Sequence, residues 1–211
     1  MREKVTAQLR AELLTGNLRP GVTYTVRSTA AKFGVSPTPV REAILDLSNE
    51  GLIAVKPNKG FAVVEPDADT VVHIANVRRL LEIPATIEVA RRAADEDVAR
   101  LHESAERTAF YADRADIAAY VQADEEFHRD VLTLSGNPLL VDLSERLRAQ
   151  ARNHAFPAML RGDNLAGSAR EHVELVRSIA HSDYSRVREL VERHINYALM
   201  SLASMEPELP G

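Results

Sequence analysis

The run Ala30-Ala31-Lys32-Phe33-Gly34-Val35-Ser36-Pro37-Thr38-Pro39-Val40-Arg41-Glu42-Ala43-Ile44 constrains this chain most. It reads as two short helices joined by a tight turn. Gly34 ends the first, because glycine alone reaches left-handed backbone angles cheaply. Ala30, Ala31 and Phe33 are expected to give that helix its small and apolar contacts, with Val35 filling the corner. Ser36 suits an N-cap and Pro37 the first helical position. Val40, Ala43, Ile44 and Leu47 then recur at i, i+3, i+4 and i+7, one buried stripe. Thr38 and Arg41 fall off that stripe, near the helix start, where a helix-turn-helix presents side chains to base edges. A helical hairpin in an ordinary core would carry the same stripe, so the flanking residues decide.

Downstream, Asn49-Glu50-Gly51 closes the second helix. Leu52-Ile53-Ala54-Val55 and Phe61-Ala62-Val63-Val64 are short β-prone runs, joined by the basic turn Lys56-Pro57-Asn58-Lys59-Gly60. A hairpin placed there makes a winged helix. Upstream, Lys4 to Leu14 reads as a helix with Val5, Leu9 and Leu13 inward and Gly16 as its stop. Tyr24-Thr25-Val26 reads as extended, and Ser28 as the N-cap of the next helix. Residues 1–66 hold nine Lys/Arg and six Asp/Glu, +3, whereas the remainder holds 17 against 25, −8. A basic head on an acidic body concentrates attraction for phosphate on the head.

Arg19-Pro20-Gly21, then Gly34-Val35-Ser36 with Thr38-Pro39-Val40-Arg41-Glu42-Ala43, then Glu50-Gly51-Leu52-Ile53, then Pro57-Asn58 and Gly60, resemble the DNA-binding domain of GntR-family bacterial transcription regulators. The resemblance implies binding to double-stranded operator DNA, with contacts from Arg27, Ser36, Thr38, Arg41, Lys59 and Gly60. Pro37 stands where the family usually has a basic residue. Leu45 and Asp46 stand where relatives are often basic or polar, and Asp46 would repel phosphate if it faced DNA. Readout is therefore expected to rest on Arg27, Thr38, Arg41 and the wing.

Glu65-Pro66-Asp67 is short, polar and proline-punctuated, so the expected domains are 1–66 and 67–211. Every long segment beyond it has helical period. Pro84 is expected to kink or break the helix over Val71 to Ala94. Gly136-Asn137-Pro138 reads as stop, cap and first-turn proline. Phe156-Pro157 reads as a helix end, Ser168 with Glu171 as a capping box, and Asp183 as the cap of the last helix. The fold class is mainly α: a winged helix-turn-helix of three helices and a small β-hairpin, then an antiparallel helical bundle. No cysteine is present, which excludes disulfides and thiolate metal sites. No apolar run approaches the ~20 residues of a membrane span, and the charged N-terminus has no signal-peptide core. The expectation is a cytoplasmic protein with no membrane partner.

Asp124 and His128 lie at i, i+4 on one helix face. His172 and His194 sit at the edges of apolar stripes on two later helices. Three imidazoles and a carboxylate converging from three helices can bind a transition metal and leave positions open for a ligand, although a lone inward histidine is more often a hydrogen-bonded core residue. The acidic run Asp124-Glu125-Glu126 reads by itself as a solvated face, and His73, His102, His154 and His181 as incidental. Arg78-x-x-Leu81-Glu82, Asp124-x-x-Phe127-His128, Ser135-Gly136-Asn137-Pro138, Glu171-His172 and His194 resemble the FCD effector-binding domain of the FadR branch of the GntR family, in a short, VanR-like form. That resemblance implies one divalent ion per subunit held by Asp124, His128, His172 and His194, with zinc first and nickel, manganese or iron allowed. It also implies a small carboxylate effector, with Arg78 as its anchor, and a homodimer on a palindromic operator. Arg78 on its own reads equally as a salt-bridge partner of Glu82. Arg148, Arg152, Asn153 and Asn196 are further cavity candidates. Since imidazole must be neutral to ligate, metal affinity is expected to fall toward pH ~6. Two other readings remain open: a metal-dependent enzyme built on the same cluster, and a dimeric DNA-binding protein with no effector.

Overall fold

The computed structural model describes residues 1–64, 68–161 and 164–203, without the side chains at 14, 68, 153–161, 164 and 198–203. The elements are α1 (Arg2–Leu14), β1 (Thr23–Tyr24), α2 (Val26–Phe33), α3 (Pro37–Asn49), β2 (Ile53–Lys56), β3 (Gly60–Val63), α4 (Ala68–Arg92), α5 (Asp95–Asp113), α6 (Ile117–Thr133), α7 (Pro138–Arg161), α8 (Asn164–Ala180) and α9 (Tyr184–Ala203). Residues 1–67 and 68–211 form two compact units. The expected linker, Glu65-Pro66-Asp67, lies outside the described residues, as do Gly162-Asp163 and the tail from 204.

The first unit is a winged helix-turn-helix. Thr25, not Ser28, caps α2: its Oγ1 accepts from the Ser28 N–H at 3.0 Å, while Ser28 Oγ donates to the Thr25 carbonyl. Both hydroxyls satisfy the capping preference, and only the geometry separates them. Thr29 and Ala30 are buried, but Ala31 is exposed and makes no core contact of the kind expected. Gly34 takes the left-handed conformation at φ 66°, and Ser36 in extended conformation admits Pro37 as the opening of α3. Val40, Ala43, Ile44 and Leu47 are buried with Val5, Leu9, Leu13, Leu18, Leu52, Ile53 and Phe61. Burial of each of the larger aliphatic side chains contributes about 1.5–3 kcal/mol, which locks α1 and α2 onto the inner face of α3.

The sheet order is β1-β3-β2, antiparallel throughout, with Lys56 opposite Gly60 at the hairpin end and Tyr24 opposite Phe61. Gly60 has φ 118°, and a Cβ there would lie 2.0 Å from the Tyr24 carbonyl oxygen. Any side chain therefore forces β1 and β3 apart. Gly60→Ala is expected to destabilise this unit by about 2–4 kcal/mol, from overpacking added to backbone strain. Calorimetric melting that matched wild type would contradict that account of the wing.

The second unit holds six helices among the described residues. Its core includes Ile83, Val89, Leu101, Phe127, Val131, Leu175, Ile179, Val187, Leu190 and Ile195. Of the two outcomes expected at Pro84, the break does not occur: α4 runs through it. Proline removes the bond to the carbonyl of Leu80. Leu80 and Pro84 both lie on the exposed face of α4, where water can satisfy that carbonyl. Val77 is exposed on the same face. Likewise α7 continues past Phe156-Pro157 to Arg161. The Ser168 capping box does not form, because α8 starts four residues earlier and buries Ser168 inside the helix. Other signals are realised: Asn137 Oδ1 accepts from Leu140 N at 3.2 Å, and Asp183 Oδ1 from Arg186 N at 3.0 Å. No described helix is long and apolar enough to cross a membrane.

Candidate functional site

In the first unit, ion pairing sorts the cations. Arg2 pairs with Asp46, Arg10 with Glu50 and Lys32 with Glu12. Arg27, Arg41 and Lys59 are exposed and make no ion pair among the described residues, so their charge stays available. Ser36 and Thr38 are exposed at the start of α3, and Gly60 is half-buried at the start of β3. Asp46 faces α1, where Arg2 Nε donates to it at 2.8 Å and the Arg2 guanidinium and Thr6 hydroxyl hold its carboxyl below the usual range. The conditional repulsion of phosphate is answered by an internal partner.

The second unit brings Asp124, His128, His172 and His194 together, their nearest donor atoms all within 4.8 Å of one another. One face of α6 supplies Asp124 and His128, and the apolar stripes of α8 and α9 carry the other two imidazoles inward. Asp124 Oδ1 lies 3.5 Å from His128 Nε2 and 3.6 Å from His172 Nε2. His128 Nε2 and His194 Nε2 are 3.1 Å apart. The His194 Nδ1–H donates to Glu171 at 3.2 Å, and Arg193 holds the same carboxylate. That bond leaves the Nε2 lone pair of His194 turned to the cluster. The Phe127 ring stacks on His172 with centroids 4.3 Å apart.

Three observations show that these residues suit a divalent cation. Both ring nitrogens of His172 are buried without a hydrogen-bond partner, a costly state that ligation would relieve. Two Nε2 atoms at 3.1 Å share a proton in one tautomer and, with both lone pairs turned inward, are spaced for a cation. Nitrogens sharing an ion at ~2.0–2.1 Å stand about 2.9–3.4 Å apart at right or tetrahedral angles. The widest span of the cluster exceeds that, so it would have to draw in slightly around an ion. The donors are imidazole and carboxylate, which leaves the identity of the metal open among the borderline ions.

Electrostatics prepares the ligands. Burial pushes His172 down to about 3, helped by His194 and Arg148 and opposed by Asp124. Burial likewise holds His128 well below the ordinary imidazole range. Burial alone would raise Asp124, but His128, His172 and Arg152 outweigh it and keep the carboxylate charged. Burial thus favours the neutral form of His128 and His172, the form that ligates. In metal-free protein the unfolded imidazoles bind protons that the folded ones refuse. Stability is thus full above the unfolded value of ~6.5 and is expected to fall as pH drops toward 3, by up to about 1.4 kcal/mol per pH unit for each group. A denaturant midpoint that stays flat from pH 7 to 4 in metal-free protein would contradict this.

Arg78 does not stand open. It is buried and bonds Glu82, Nε to Oε1 at 2.7 Å, and Arg148 from α7 bonds the same carboxylate. His128 and His194 of the cluster and Glu82 and Arg148 of the triad line one small space of about 20 Å³, with Thr86 beside them. Arg152 pairs with Glu125, while the Arg79 side chain holds Asn196. Asn153 and His154 lie outside the described side chains, and His73, His102 and His181 are exposed. Sequence reasoning missed Tyr120, buried one turn before Asp124, where burial and the Asp124 charge push its hydroxyl up. Its spacing from Asp124 on one helix face was the available signal.

A winged helix joined to a helical bundle with a buried Asp/His donor cluster is the build of a class of bacterial regulators. The chain belongs to the GntR family of bacterial regulatory proteins, in the branch that carries an FCD domain: residues 1–63 match the gntR family and residues 73–197 the FCD domain. It is 28% identical over 144 residues to the HTH-type transcriptional regulator McbR of Escherichia coli K12, covering 68% of this chain and 65% of that protein. It is 33% identical over 143 residues to the Nta operon transcriptional regulator of Aminobacter aminovorans, covering 63% and 64%. The matched stretches thus span just under two thirds of these relatives' own length. The solved structure of E. coli McbR/YncC superposes with a TM-score of 0.77 at 22% identity, over 96% of this chain and 97% of that one. The families and relatives are regulators, not enzymes, which sets the metal-dependent enzyme reading aside.

Proposed function

We propose that this chain is a cytoplasmic, homodimeric, metabolite-responsive transcription regulator. The observation that carries the reading is the Asp124/His128/His172/His194 cluster, with His172 unpartnered, on a chain whose other unit is a winged helix. In this reading Arg27, Ser36, Thr38, Arg41, Lys59 and Gly60 form the operator face, α3 enters the major groove and the wing meets the backbone. Two copies read a palindrome, since a two-fold protein matches a two-fold site.

The four ligands would hold one divalent ion, zinc first. When bound, the ion supplies a Lewis-acid position for one oxygen of a small carboxylic acid. Arg78 and Arg148 supply complementary positive charge nearby, and Phe127 keeps His172 in place. The acid changes operator affinity by stabilising one arrangement of the dimer over another. A DNA-binding dimer without an effector predicts no metal and no response to acids.

Native mass spectrometry of gently purified protein tests this, together with selection of binding sites from random DNA. The expected result is a dimer with one metal ion per chain and a two-fold symmetric motif. A metal-free monomer after reconstitution, or a motif without symmetry, would refute it.

A further inference from the structure

The Arg78–Glu82–Arg148 triad has an imbalance that the proposed function leaves unexplained, namely the carboxylate already seated between the two arginines. Glu82 is 1% exposed and is shared by two guanidinium groups, one from its own helix and one from α7. Arg148 Nε is buried with no hydrogen-bond partner. The triad carries a net charge of +1. Across the shared 20 Å³ space, which holds about one water, stands the Asp/His cluster. Asp124 and a divalent ion there add another +1. Two uncompensated charges at one small, largely buried pocket call for a dianion.

The geometry points to Glu82 as a resident carboxylate that holds Arg148 until an incoming acid exchanges with it, which makes the pocket selective for acids with two carboxylates. This rests on the effector reading above. One carboxylate of the acid meets the cluster and the other takes Arg148. Glu82 keeps Arg78, its i, i+4 partner. No room for a second carboxylate exists while Glu82 bridges both arginines, so exchange and opening are one event. Glu82 thereby sets both selectivity and the affinity threshold. An acid with a single carboxylate reaches the cluster but cannot replace the bridge between α4 and α7.

Calorimetric titration of the full chain loaded with zinc tests this, using malonate, succinate and glutarate against acetate. Wild type is expected to bind at least one dicarboxylate more tightly than acetate. Glu82→Gln keeps the shape but replaces a charge-assisted bond with a weaker neutral one, and is expected to bind that dicarboxylate about tenfold more tightly. Unchanged or weaker binding by a Glu82→Gln protein with wild-type zinc content and helicity would overturn the proposal and leave the effector reading standing. Failure of every acid to bind zinc-loaded wild type would overturn both. Should Glu82→Gln not fold, the Arg148 Nε–H resonance of wild type decides. A shift on saturation with the dicarboxylate supports exchange, and an unmoved resonance overturns it.

Discussion

His172→Ala is expected to lower the metal affinity of the bundle at least a hundredfold and to remove about two thirds or more of its stabilisation by metal. Loss of a partner that merely orients a ligand typically costs ten- to a hundredfold, and His172 would be a ligand itself. In wild type the stabilisation follows RT ln(1 + [L]/Kd), about 4 kcal/mol when free metal is a thousandfold above Kd. Both nitrogens of the ring are buried and unpartnered, so the imidazole has no other bond in the fold to lose. What the substitution does remove is the stacked contact with Phe127, which costs some stability in either metal state. The comparison is therefore made within each protein, melting with and without metal, alongside elemental analysis. Wild type should gain many degrees and His172→Ala a third of that or less. The winged helix should still bind DNA. Reconstituted wild type without metal, or His172→Ala with a full complement of it, would remove the site and return the histidines to the bundle core.

Arg41→Ala should be the most damaging single change to operator binding. Arg41 is exposed on α3, one turn from its start, and no carboxylate among the described residues competes for it. A lost base contact costs about 1–3 kcal/mol per half-site, so a symmetric site would lose twice that. Lys59 at the wing should act differently, weakening all sequences alike and lowering the salt slope by ~0.9 for one lost phosphate contact. Mobility shifts on the selected operator and on a scrambled duplex separate the two. Arg41→Ala binding the operator as wild type does would displace it from the reading face.

Local periodicity made the head legible. The stripe Val40, Ala43, Ile44 and Leu47 needs only a helix to be buried together, and Gly34 needs only a left-handed turn. The same local logic fails where two residues satisfy one rule. Thr25 and Ser28 both cap well, and Ser168 with Glu171 matches a capping box although the helix starts earlier. Pro84 shows that a lost bond need not end a helix when it falls on an exposed face. In the site, the i, i+4 pairs Asp124/His128 and Arg78/Glu82 were visible as spacings. Arg148 meeting Glu82 across 66 positions was not, because nothing in the local pattern fixes how α7 lies on α4. Nor does sequence show that Asp46 is covered by Arg2, 44 positions away.

The unbroken course of α4 has a mechanical side. From Ala68 to Glu82 the helix contains no proline, Pro84 falling beyond the triad. Fourteen residues at 1.5 Å each make a stiff arm of about 21 Å. A tilt of ten degrees pivoting at Glu82 would swing the first turn by about 4 Å, close to the spacing between neighbouring strands in a sheet. A small change of partner at the pivot would therefore be read as a much larger displacement at the first turn of α4.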